Sequence, residues 1–181
     1  MFLDITSVED FTKDIAPYLR NGILIDTSVF KEIVDGIVTT QFEKKKSSEF
    51  KMILAFLDLI KVNNKWGQFV VTPHILTEIC KHFHNDHSHR GDYKKIVETV
   101  IPILSDMKES EVKKDSILTY IDFKSPVIEI GDISIFIVAD DFVNKKEKIA
   151  ILSKDDGFNK KYAQNKDVMI MDYRFNILNS Y

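Results

Sequence analysis

The stretch Ile-Leu-Ile-Asp-Thr-Ser-Val-Phe, residues 23–30, decides the fold. Its three leading apolar residues do not alternate with polar ones, so they read as a strand buried on both faces. Asp26 ends the run, and Thr27 or Ser28 is placed to cap a helix reaching about Ile37. Three further runs repeat the pattern: Phe69-Val70-Val71, Ile149 to Leu152, and Val168 to Met171. After the second, Thr72 and Pro73 read as the cap and first residue of a helix to about His84. Helical spacing also marks residues 7–20, opened by Ser7 with Asp10 as a near capping box, and residues 48–62, 93–107, 133–143 and 156–163. Residues 39–48 are polar and read as a loop, and roughly 116–123 form no clear element. Short buried strands separated by helices require a parallel sheet covered on both faces. The expected class is α/β, a three-layer α/β/α sandwich with a central, mainly parallel sheet of four or five strands. With no internal repeat and no Pro/Gly/Ser-rich linker, residues 1–181 are expected to be one domain, residues 1–20 forming an N-terminal helical extension.

Composition narrows the function classes. Apolar residues make up 44% and charged residues 29%, as in an ordinary globular protein. A net charge of −3 argues against coating nucleic acid by bulk positive charge, and the bunched lysines read as solvated faces. No apolar run approaches the roughly 18 residues of a membrane span. The N-terminal MFLDITSVEDF lacks the basic-then-apolar pattern of a signal peptide. Cys80 is the single cysteine, which excludes an intramolecular disulfide and fits a cytoplasmic location.

Ligands of parallel α/β sheets bind beyond the carboxyl ends of the strands. Asp26 directly follows the first run, and Asp155 follows the third across Ser153 and Lys154. Glu78 lies in the second turn of the helix after the second run, and Asp132 opens a nearly all-apolar helix. Four carboxylates in one crevice repel one another, and a hard divalent ion such as Mg²⁺ or Mn²⁺ resolves the conflict. No Cys/His spacing suggests zinc. Taken singly, each acid has an ordinary reading: Asp132 and Asp155 as helix N-terminal acids, Asp26 as a turn residue, Glu78 as a solvated helix position.

The segments ILIDTSVF (23–30), VVTPHILTEI (70–79), GDISIFIVAD (131–140) and AILSKDDGF (150–158) resemble, in order and spacing, the four signature blocks of PIN domains. The resemblance runs from about residue 21 to 175. It implies an endoribonuclease dependent on Mg²⁺ or Mn²⁺, with Asp26, Glu78, Asp132 and Asp155 as the catalytic, metal-binding acids. It implies substrate-side roles for Thr27 and Ser28, for Ser153 where the family usually carries Thr, and for Lys154 facing phosphate. The implied substrate is RNA, cut to a 5′-phosphate and a 3′-hydroxyl. The family includes VapC-type toxins, so an inhibitory protein partner of a toxin–antitoxin pair and a homodimer enter as options. The N-terminal helix and the length exceed the smallest members. The alternative is a non-catalytic PIN-like module that binds RNA or protein. A phosphotransfer or receiver-like domain would also use strand-end acids, but leaves Glu78 and Asp132 without a role.

Other residues have blander readings. The histidine-rich stretch 82–89 is expected to be an exposed loop, and His74, on the same helix face as Glu78, to be packed or exposed. Asp156 is expected to cap the following helix, and Asp140 and Asp141 to be solvated. Trp66, Phe69 and Tyr162 are read as core.

Overall fold

The computed structural model describes residues 8–121 and 129–174, with side chains described from residue 11 onward. The Ser7–Asp10 capping box lies outside what is described. Five strands form one all-parallel sheet in the order β3-β2-β1-β4-β5: β1 (Ile23–Ile25), β2 (Phe69–Val71), β3 (Lys108–Glu109), β4 (Ile149–Leu152) and β5 (Val168–Met171). The central β1 pairs on both sides, Ile23 opposite Phe69 and Ala150, and Leu24 opposite Val70 and Ile151. The chain leaves β1 toward one edge and later returns through β4 on the other side. The loops after β1 and β4 therefore diverge at the switch point of the sheet, where such folds open a crevice.

Eight α-helices accompany the sheet among the described residues: α1 (Val8–Leu19), α2 (Thr27–Phe42), α3 (Ser48–Leu59), α4 (Pro73–His87), α5 (Tyr93–Asp106), α6 (Lys114–Tyr120), α7 (Ile130–Asn144) and α8 (Asp156–Tyr162). This α/β arrangement is compatible with three layers. Every residue of β1 and β4 is fully buried, which explains their unbroken apolar runs. α1 packs on β4 and β5 and places Phe11, Ile15 and Tyr18 in the same core. No described helix is long and apolar enough to cross a membrane.

Several elements differ from the sequence reading. α2 runs to Phe42, consuming the start of the expected loop, and α4 runs to His87. The histidine stretch is thus largely helical, and His87 is buried beside Asp35 rather than exposed. β3 has no apolar signature because its two residues, Lys108 and Glu109, are exposed on an edge. The unclear segment contains α6. Phe69 and Tyr162 are core as expected, while Trp66 is half-buried.

The contact between α2 and α3 depends on Gly36. A Cβ built there would fall inside the ring of Phe50, itself buried and fixed at the start of α3, where its N–H donates to the Ser47 hydroxyl at 2.9 Å. Gly36→Ala is expected to destabilise the fold despite alanine's better helix propensity, because overpacking costs about 1–3 kcal/mol against a gain of about 1 kcal/mol. A lowered melting temperature, recovered when Phe50 is also made smaller, checks this; an unchanged one contradicts it.

Candidate active site

Asp26 emerges from the carboxyl end of the central strand and is only 5% exposed. It occupies the N-cap position of α2, where an aspartate usually accepts an amide proton of the first turn. Its side chain makes no such bond. Instead Oδ2 accepts from the Ser28 hydroxyl at 2.6 Å and the Ser153 hydroxyl at 2.9 Å. Two hydroxyl donors meet the need of a buried carboxylate for partners and hold its orientation.

Ser153 is fully buried, beneath the cleft rather than on its wall. Its hydroxyl is engaged on two sides, donating to Asp26 and accepting from the Asp155 amide at 2.9 Å. It couples the end of β1 to the end of β4. Asp155 is exposed and caps α8, its Oδ1 accepting from the Gly157 amide at 2.7 Å. The cap of α8 is therefore Asp155 and not Asp156, which is the first helical residue.

Glu78 projects from α4 toward the start of α2, where the Thr27 hydroxyl donates to its Oε2 at 2.6 Å. α7 closes on it from the other side. A Cβ on Gly131 would lie 2.8 Å from both Glu78 oxygens, so only glycine permits this approach. A buried Thr72–Ser134 hydroxyl bond of 2.6 Å pins the starts of α4 and α7 together. Asp132 follows in the first turn of α7, half-buried.

These elements enclose a cleft of about 510 Å³ lined by Asp26, Thr27, Ser28, Lys31, His82, Glu129, Asp132, Lys154 and Asp155. Burial first, then the charges of Asp26, Asp155, Glu129 and Glu78, push the Asp132 carboxyl up to about 7. Three of the four expected acids thus share one cleft, and Glu78 sits behind Thr27 and Gly131. They do not form a closed coordination sphere: among the described residues, no three His, Cys, Asp or Glu side chains are grouped to hold one metal ion. Lys154 lines the cleft with its ammonium on Glu49 at 3.0 Å and Glu32 at 3.8 Å. Another recess, of about 340 Å³ beside α1, α8 and β5, has Lys166 as its one charged lining residue and offers no comparable chemistry.

Two cleft residues, Lys31 and Glu129, escaped the sequence reading, and His82 was read only as part of an exposed loop, though each left a spacing signal. Lys31 lies four residues after Thr27, His82 four after Glu78, and Glu129 three before Asp132, so each shares or borders the face of an expected residue. Asp140 is also not simply solvated. It accepts from Tyr162 at 2.7 Å, Tyr120 at 2.9 Å and Lys161 at 2.9 Å, and burial raises its carboxyl despite the lowering bond from Tyr162.

Comparison with protein-family models returns no match for this chain, and comparison with curated proteins returns none either.

Proposed function

We propose that the cleft hydrolyses RNA phosphodiester bonds with the help of Mg²⁺ or Mn²⁺, and that the chain is a PIN-like endoribonuclease. The observation that carries this reading is the crowding of Asp26, Asp132 and Asp155 on one cleft, where burial first and then the neighbouring charges push the Asp132 carboxyl up to about 7. An all-carboxylate donor set suits a hard cation. Mutual repulsion keeps such acids apart, and a divalent charge reverses that force. Asp26, Asp132 and Asp155, with Glu78, would hold the ion. When bound, it would supply the positive charge that acidifies a water and offsets negative charge developing on the phosphoryl oxygens.

The chain's own residues do the rest. Ser28 and Ser153 fix Asp26, and Ser153 ties Asp155 to the same support. Thr27, which lines the cleft, holds Glu78 just behind it. Lys154 offers an ammonium to the RNA backbone from the cleft wall. Incubating the protein with a mixed RNA pool, with Mn²⁺ and with chelator, tests the reading. Cleavage with Mn²⁺ alone supports it; no cleavage across varied RNAs sinks it.

A second reading has an observation in its favour. Since no three candidate ligands are grouped to hold one ion among the described residues, a non-catalytic PIN-like module that binds RNA or protein fits the same fold. RNA binding without cleavage under every metal tried would favour it.

Gly131 gives a finer check. Gly131→Ala places a methyl against Glu78, whose flexible end can swing away at little cost to folding. Cleavage is expected to fall about tenfold, the scale of losing one supporting contact of a metal site, with the melting temperature held. Unchanged cleavage would remove Glu78 from the proposed site.

A further inference from the structure

We infer that Lys31 binds a phosphate group of the substrate at the cleft, an assignment that rests on the ribonuclease reading above. The cleft is lined by four acids, so an approaching polyanion needs cations in the same wall. Lys31 is one of them. Its ammonium lies 2.6 Å from Asp35 and 2.8 Å from Asp86, held between α2 and α4. Asp35 is in turn held by the buried His87, whose Nε2 lies 3.1 Å from its other oxygen. Burial works to lower the lysine's pKa, but the two carboxylates prevail and raise it, so the charge persists.

An ammonium has three donors. Two are directed at Asp35 and Asp86, and a third is left for the cleft that the residue lines. The network has already restricted the long side chain, so a phosphate oxygen meeting it costs little further ordering entropy. The bland alternative is a helix-stabilising pair. Lys31 precedes Asp35, which is the weaker orientation for an i,i+4 pair, while its contact with Asp86 ties α2 to α4.

The test uses the full chain and a single-stranded RNA oligonucleotide. Lys31→Gln and Lys31→Met remove the charge and keep the stem; Lys31→Arg keeps the charge. Melting curves identify the folded variants. The neutral variants are expected to raise KM about tenfold, the effect of one lost contact of about 1.4 kcal/mol, with kcat within about twofold. The slope of log Kd against log salt should fall by about 0.7, one single-strand phosphate. Lys31→Arg should restore most of both. Unchanged KM and salt slope in a folded neutral variant would overturn the assignment and leave the ribonuclease reading standing. If the wild type cleaves no RNA, that reading falls and binding decides: a smaller slope in the neutral variants upholds the phosphate site, whereas equal slopes or no binding overturn it.

Discussion

Asp26→Asn is expected to lower Mn²⁺-dependent cleavage of single-stranded RNA about 100-fold or more, since even outer-shell partners of metal sites are worth 10–100-fold. Asp26 stands at the end of the fully buried central strand and uses both hydroxyl donors at one oxygen. The amide oxygen of asparagine can still accept those bonds, so the fold should survive while the charge is lost. The variant separates charge from shape in a way that alanine would not. Residual cleavage close to wild type, in a protein that melts normally, would mean that Asp26 is only a turn residue between β1 and α2.

Asp132→Asn is expected to stabilise the protein above pH 7 and to leave its stability nearly unchanged near pH 4. The sign follows from proton binding. The folded carboxyl is pushed up to about 7 from 3.8 in the free residue, first by burial and then by Asp26, Asp155, Glu129 and Glu78. Between those values the folded state holds a proton that the unfolded state has released. Stability therefore declines as pH rises through this window and stays low above it. Asparagine carries no charge and removes the decline. Each kcal/mol recovered should raise the melting temperature by about 2–4 °C for a chain of this size. The same change should cost cleavage activity, the usual exchange between a strained site and stability. Melting curves from pH 4 to 9 check it; parallel curves for wild type and variant would contradict it.

The parts of the fold legible in sequence were those with an apolar signature. β1, β2 and β4 are runs without alternation because both faces are covered, and β5 keeps the same apolar pattern at the edge with Met169 and Ile170 partly exposed. β3 was invisible because Lys108 and Glu109 join the sheet through backbone bonds alone, at an exposed edge. The ends of α2 and α4 are not marked by a local pattern, because the last residues, Phe42 and His87, are held by contacts with distant parts of the chain. In the site, Asp26 and Asp155 at strand ends and Asp132 at a helix start share one cleft. Side-chain partnerships were harder to read. The Ser153 hydroxyl between Asp26 and Asp155 spans 127 residues of chain, and the network of Asp140 with Tyr120 and Tyr162 joins three separate helices. Burial of His87 depends on Asp35, 52 residues away, which no local pattern announces.

The central claim is that these acids hold a divalent cation in common, and equilibrium binding of Mn²⁺ to the RNA-free protein tests it most directly. Titration should show saturable binding to the wild type, accompanied by a rise in melting temperature. Both should be lost or strongly weakened in Asp26→Asn and in Asp132→Asn. Equal Mn²⁺ affinity in all three proteins, or no binding to any, would contradict the account.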